Sequence, residues 1–70
     1  MKEYLVEIAS VPDRDFLVAE IWYGEVLVAE INQEKEDLEI EFYLKDSLKF
    51  NYKAFCNVLL EAERKLRSSS

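Results

Sequence analysis

Hydrophobic and polar residues alternate along much of the N-terminal two thirds of the chain, and the pattern is clearest on both sides of the single glycine. Residues 17–21, LVAEI, recur as residues 27–31, with Gly24 between the two copies. β-branched and aromatic residues dominate both copies and favour strands, and glycine can adopt the positive φ that tight turns need. The repeat therefore predicts a β-hairpin that turns near Gly24, with the rest of the chain packed around it.

Each arm of this hairpin has one wholly apolar face. The apolar faces together contain Leu17, Ala19, Ile21, Leu27, Ala29 and Ile31. The opposite faces contain Phe16, Val18, Glu20, Trp22, Val26, Val28 and Glu30. The two apolar sets lie on one side of the sheet only if the numbers of paired residues sum to an even value. This register requires a three-residue loop or a β-bulge rather than a simple two-residue turn at Tyr23 and Gly24.

Two further strands are predicted, one on each side of the hairpin. Residues 3–9 alternate imperfectly, with Tyr4, Val6 and Ile8 on one face, and the pattern leaves open which face is buried. Residues 10–15, which include Pro12, are expected to form a turn. Residues 38–43, LEIEFY, alternate strictly. The strict alternation directs one set into the core, namely Leu38, Ile40 and Phe42. It directs the other set to solvent, namely Glu39, Glu41 and Tyr43.

A helix is predicted at the C-terminal end, after a turn at residues 44–47 and an optional short fifth strand at residues 48–50. Asn51 is a suitable N-cap for a helix that runs from Tyr52 to about Leu66, because its side-chain oxygen can accept a backbone N–H of the first turn. Apolar residues then recur at spacings of three and four, at Tyr52, Phe55, Leu59, Ala62 and Leu66. This spacing is typical of a helix with one buried face.

The order of these elements predicts an α+β fold, an antiparallel four- to five-stranded β-sheet meander with one C-terminal α-helix packed on one face. Seventy residues allow one small domain, which we place at residues 1–67, followed by a polar C-terminal tail at residues 68–70. Half of the residues are hydrophobic, so a packed core is expected.

Acidic residues concentrate in the middle of the chain. Residues 15–41 contain nine acidic side chains and one basic side chain, whereas residues 42–70 contain three acidic and six basic ones. An acidic field repels nucleic acid and attracts a basic protein partner. The alternative interpretation is that the charge serves solubility alone.

The sequence contains no pattern typical of an enzyme or of a cofactor site. Histidine is absent, and the single cysteine, Cys56, has no histidine partner and is expected to be a structural thiol. Glu39 and Glu41 share a strand face, but a sheet with one helix offers no deep cleft in which one carboxyl could act as an acid. No loop has the ligand spacing of an EF-hand. We therefore expect no enzyme activity, no cofactor and no metal.

No apolar run is long enough to span a bilayer, and the N-terminus lacks the pattern of a signal peptide. We therefore expect a cytoplasmic protein that does not bind membranes.

The sheet face away from the helix is the predicted binding surface. It combines aromatic and acidic side chains, and apolar patches ringed by charge often mark protein interfaces. The candidate partner-binding residues are Glu20, Trp22, Glu30, Glu39, Glu41 and Tyr43. The alternative is that these residues are buried in a homodimer interface or under the N-terminal segment.

The block from VAEI to VAEINQE, followed by LEIEFY on a short acidic chain that ends in one helix, resembles the small bacterial immunity proteins of polymorphic and contact-dependent-inhibition toxins. The resemblance extends over residues 16–43 and rests on size, acidity and strand order. It implies an inhibitor that occupies the active site or substrate groove of a toxin, and many such toxins are basic nucleases.

Three hypotheses of function follow. The first is an immunity-type inhibitor that binds a basic protein such as a nuclease toxin and does not bind nucleic acid directly. The second is a small homodimerising structural or accessory domain that uses the open sheet face or an edge strand. The third is a phage anti-defence protein that mimics nucleic acid.

Overall fold

A computed structural model describes residues 3–12 and 14–69 and confirms the predicted α+β fold. Four antiparallel strands form one sheet in the order β1-β2-β3-β4, and a C-terminal helix packs against it. The elements are β1 (Tyr4–Ala9), β2 (Val18–Tyr23), β3 (Val26–Asn32), β4 (Glu39–Phe42) and α1 (Tyr52–Ser69). The optional fifth strand at residues 48–50 is absent from this part of the chain, where Phe50 packs among aromatic rings instead.

The hairpin contains both a tight turn and a bulge. Tyr23 pairs with Val26, so the turn consists of Gly24 and Glu25, and Gly24 has the positive φ of 61° that a glycine accommodates without strain. The register shifts between Ile21 and Trp22, and β3 has one extra residue, Val28, at this point. The predicted even-numbered register, in which Ile21 pairs with Ala29, is thus confirmed, and of the two predicted solutions the structure has the bulge.

The bulge also exchanges two residues between the faces of the sheet. Leu27 pairs with Trp22 on the outer face, the side away from the helix, whereas Val26 pairs with Tyr23 on the helix-facing side. The predicted faces of Leu27 and Val26 are therefore wrong. The physical reason is that the extra residue shifts the alternation of every residue between it and the turn.

The core lies between the helix and the first three strands. It is formed by buried side chains from all four of these elements, which are Val6, Ala19, Ile21, Val28, Ala29, Ile31, Ala62 and Leu66. Val28 was expected on the open face, but this bulge residue is fully buried within the core. The sequence did not decide which face of β1 is buried. The structure assigns the face of Val6 to the core, because Val6 pairs with Ile21 on the helix-facing side.

The helix begins where the sequence predicts it and ends later. The Asn51 Oδ1 atom accepts a hydrogen bond of 2.9 Å from the Ala54 N–H, which confirms the N-cap. The prediction that Tyr52 belongs to the buried stripe is wrong, because this residue, which directly follows the cap, is 81% exposed. The helix extends to Ser69, so two residues of the predicted tail are helical, and Ser70 lies outside the described residues.

Helix α1 packs over β1 and β2 and leaves the β4 side of the sheet largely uncovered. Ile40 and Phe42 lie on the helix-facing side, as predicted, since they pair with Ile31 and Ala29. Their expected burial is wrong, because they are 40% and 54% exposed. One helix is too narrow to cover four strands, and the strand farthest from it remains in solvent.

Four aromatic rings close the core at the hairpin end. Phe50 stacks on Phe55 at a centroid distance of 5.2 Å, and Tyr4 lies 4.9 Å from Tyr23 and 5.7 Å from Phe50. Loss of solvent around the Tyr4 hydroxyl, with a smaller contribution from Tyr23, raises the pKa of Tyr4. These contacts attach the segment before the helix to the sheet.

Candidate protein-binding surfaces

Four glutamates form a row across the outer face of the sheet, one from each strand. Glu7 pairs with Glu20, Glu20 with Glu30, and Glu30 with Glu41. We call Glu7, Glu20, Glu30 and Glu41 the acidic row. Like charges in directly opposed positions destabilise a sheet. The repulsion within the row is therefore a cost to folding that other interactions must offset.

Arg14, from the connection between β1 and β2, compensates half of the acidic row. Its Nε atom lies 3.1 Å from Glu30 Oε2, and its Nη2 atom lies 3.0 Å from Glu41 Oε1. The Glu30 side chain is 8% exposed and that of Arg14 22% exposed, so this ion pair is shielded from water, whereas Glu41 is 55% exposed. The buried carboxylate of Glu30 thus has a fixed cationic partner.

Tyr43 lies beside this arginine and responds to the same charges. Loss of solvent raises the pKa of Tyr43, and the negative charges of Glu30 and Glu41 raise it further. A hydrogen bond and the positive charge of Arg14 act in the opposite direction and lower the pKa. Arg14, Glu30, Glu41 and Tyr43 therefore form one connected polar cluster at the β3–β4 side of the outer face.

The connection that carries Arg14 is fastened to the end of β3. Both carboxylate oxygens of Glu34 accept backbone hydrogen bonds of 3.1 Å, one from Asp15 and one from Phe16. The Gln33 Nε2 atom donates to the Leu17 carbonyl at 3.0 Å. Val18, which follows on the outer face, is fully buried, although the sequence analysis placed it on an open face. The connection lies over this end of the face and separates it from solvent.

The other half of the acidic row remains accessible and surrounds an apolar depression. Glu7 is exposed, and Glu20 is half-buried and accepts a hydrogen bond of 3.2 Å from Trp22 Nε1. Beside them lies a shallow depression of about 350 Å³ on the outer face, which we call the tryptophan depression. It is lined by Leu5, Glu7, Trp22, Gly24 and Glu25. A half-buried indole ringed by carboxylates is a favourable centre for a protein interface.

The predicted site residues therefore separate into three groups. Glu20 and Trp22 lie together beside the tryptophan depression. Glu30, Glu41 and Tyr43 gather around Arg14, where Glu30 is too deeply buried to reach a partner. Glu39 is exposed at the edge of the sheet, and its Oε2 atom lies 3.5 Å from Lys35 Nζ.

Sequence reasoning missed three residues of this face, Leu5, Glu7 and Arg14. For Leu5 and Glu7 a signal existed, because they alternate with Tyr4, Val6 and Ile8, and the apolar character of the latter set could have assigned the face. For Arg14 there was no signal, since its partners lie 16 and 27 residues away along the chain.

A second surface lies on the other side of the sheet, between β4 and the helix. An apolar groove of about 220 Å³, which we call the edge groove, follows the uncovered part of β4. It is lined by Ile31, Leu38, Glu39, Ile40, Leu59, Leu60 and Glu63. Leu60 is 65% exposed, whereas the adjacent Leu59 is half-buried. Large apolar side chains beside an unpaired strand are typical of a binding groove.

Within residues 3–12 and 14–69, no three acidic or cysteine side chains are arranged to hold a metal ion, and Cys56 is a half-buried free thiol. Nor does any helix in these ranges have the length and apolar character needed to cross a membrane. No protein-family model, curated protein or solved structure matches this chain.

Proposed function

We propose that this protein is a non-enzymatic inhibitor of the immunity type, which binds a basic protein, such as a nuclease toxin, through the outer face of its sheet. The observation that carries the proposal is the acidic row, in which four glutamates oppose one another and, among the described residues, Arg14 forms ion pairs with the Glu30 and Glu41 half. Cationic side chains of a partner would relieve the repulsion that remains at Glu7 and Glu20.

The accessible half of the row is also the half that surrounds Trp22. Burial of the indole and of Leu5 in the tryptophan depression would supply apolar contact, and the surrounding carboxylates would speed association and set its orientation. Such a surface is complementary to a groove that binds a phosphate chain, because that groove carries basic side chains with aromatic or apolar residues among them. The cytoplasm is the compartment in which we propose that the protein meets such a partner.

The experiment that tests the proposal is affinity capture from a lysate of the source organism, followed by an assay of the captured protein. The immobilised chain is washed at low and high salt, and the retained proteins are identified by mass spectrometry. We expect a basic protein that is retained at low salt and released at high salt, because salt screens exposed charges. Its activity, measured after purification, should be inhibited by the protein.

Two variants with equal charge change make the test specific. Glu7→Lys combined with Glu20→Lys should abolish capture, whereas Glu36→Lys combined with Asp37→Lys, in the exposed β3–β4 connection, should preserve it. If both variants lose capture equally, the effect depends on net charge alone and the proposal is contradicted. Recovery of the protein's own copies alone would favour the homodimer, and capture of a phage-defence enzyme would favour the nucleic-acid mimic.

A further inference from the structure

The free edge of β4 is a second feature that bears on how a partner is held. This strand is the last in the sheet, and no strand in the described part of the chain pairs with its outer edge. An unpaired strand edge offers N–H and C=O groups to any extended segment that approaches it. The edge groove lies directly beside it, and five of the seven residues that line this groove are apolar.

The hydrogen bonds between β3 and β4 identify the residues of β4 whose backbone N–H and C=O groups point to the free edge. The Tyr43 N–H donates to the Val28 carbonyl at 2.9 Å, in register with the β3–β4 pairs. In an antiparallel pair, residues that bond to the neighbouring strand alternate with residues that do not. Glu39 and Glu41 therefore bond to β3, and the N–H and C=O groups of Ile40 and Phe42 point to the free edge.

The side chains along this edge alternate in chemistry as well as in direction. Ile40 and Phe42 lie on the side of the edge groove, where both are largely exposed, and Glu39 and Glu41 lie on the outer face. The ion pairs of these glutamates with Lys35 and Arg14 involve exposed carboxylates, so they are weak and open to competition. A strand added at this edge would meet an apolar side and an acidic side.

This alternation argues against a second copy of the chain as the occupant. In an antiparallel pair of two β4 strands, a register that brings Ile40 and Phe42 of both copies to the same side also opposes glutamate to glutamate on the other side. The alternative register places each glutamate on the apolar side of its partner strand. Either arrangement is unfavourable, and the formal charge of −6 on each chain adds long-range repulsion.

We propose that β4 binds an extended segment of a partner protein in which apolar and basic residues alternate. The apolar side chains of that segment enter the edge groove beside Leu60, and its lysine or arginine side chains face Glu39 and Glu41. Its backbone bonds to Ile40 and Phe42, so the segment becomes a fifth strand of the sheet. This inference rests on the proposed function, because it names the part of a basic partner that is held.

A synthetic peptide with capped ends, Thr-Lys-Val-Lys-Val-Lys-Val-Lys-Thr, is the probe. The control peptide, Thr-Lys-Lys-Lys-Lys-Val-Val-Val-Thr, has the same composition and charge but does not alternate. Binding is followed by fluorescence anisotropy of a labelled peptide and by amide NMR spectra of the full chain. We expect the alternating peptide to bind about tenfold more tightly, with the largest changes at the amides of Ile40 and Phe42.

Ile40→Pro is the decisive variant, because it removes an N–H that the fold itself does not use, and proline is tolerated on a strand edge. It should weaken binding about tenfold, whereas Ile40→Val, which keeps the N–H, should bind as the parent does. Leu60→Asp provides an independent variant on the helix, which should weaken the alternating peptide and leave the fold intact. Amide spectra of each variant report whether it is folded.

Equal binding of both peptides, or changes centred on Glu7 and Glu20, would overturn this inference. So would a dimer detected by sedimentation that Ile40→Pro dissociates, since the occupant would then be a second copy. If the peptide fails while capture still depends on Glu7 and Glu20, the inference fails and the proposed function stands. If charge-dependent capture fails as well, both are overturned.

Discussion

At the scale of single residues, Arg14 decides how the outer face can be used. It places one guanidinium between a buried carboxylate, Glu30, and an exposed one, Glu41. A buried charge without a partner is costly, so the position of this arginine is a condition of the fold as well as a boundary of the acidic surface. Glu7 and Glu20, at the opposite side of the sheet, are the members of the acidic row that lie away from this arginine.

Replacement of Arg14 by methionine should lower the free energy of unfolding by about 3 kcal/mol, because Glu30 would remain buried without a cation. The double variant Arg14→Met with Glu30→Met should recover most of this loss, since two apolar side chains of similar length replace the pair. Urea unfolding at neutral pH measures both values. A double variant no more stable than Arg14→Met would show that the pair is not the source of the effect, and Glu41→Gln serves as the exposed control.

At the scale of elements, the position of the helix creates the second surface. Helix α1 lies over β1 and β2, and its inner residues Ala62 and Leu66 are fully buried there. Leu60, on another side of the same helix, faces the edge groove and remains mostly exposed. The helix therefore contributes to the core with one stripe and to the groove with another.

Substitutions in the core and among the exposed side chains near the edge groove should have different effects on stability. Leu66→Ala should lower the free energy of unfolding by about 2–5 kcal/mol, because it removes buried volume from the core. Leu60→Gln and Phe42→Thr should change it by about 1 kcal/mol or less, because both side chains are exposed. Thermal and urea unfolding measure the three variants together. A large loss of unfolding free energy in Leu60→Gln would mean that the edge groove is closed in solution and is not free to bind a partner.

At the scale of the whole molecule, the charges on the outer face act on the sheet together. Nine of the acidic residues fall within residues 15–41, and the acidic row brings four glutamates from separate strands onto one line. A surface that repels itself loses stability at low ionic strength and gains attraction for a basic partner. Stability and binding are thus opposed on this face.

The midpoint temperature of unfolding should rise as salt increases from about 10 to 150 mM, because the screening length falls from roughly 30 to 8 Å. Glu7→Lys should raise the stability at low salt by about 0.2–1 kcal/mol and reduce this salt dependence, since it converts a repulsive pair with Glu20 into an attractive one. Glu36→Lys makes the same change in net charge away from the row. Identical behaviour of the two variants in calorimetry would assign the effect to net charge alone.

Most of the fold is predictable from the sequence, because its signals are local. Alternation with period two defines the strands, and the equal apolar sets of the repeated LVAEI segment require a three-residue loop or a bulge, of which the structure has the bulge, at Val28. The side chain of Asn51 caps the helix through a contact only three residues away. The faces of Leu27 and Val26 were mispredicted, because the even sum of paired residue numbers does not give the position of an irregularity along the arm.

The arrangement of the binding surfaces was decided by the tertiary structure. The acidic row exists only because three separate strand pairings bring Glu7, Glu20, Glu30 and Glu41 into line, and no single strand contains that information. Ile40 alternates like a core residue, yet its exposure depends on which strands the helix covers. Local sequence determines which side of a strand a residue faces, whereas the contacts between distant segments determine what, if anything, covers that side.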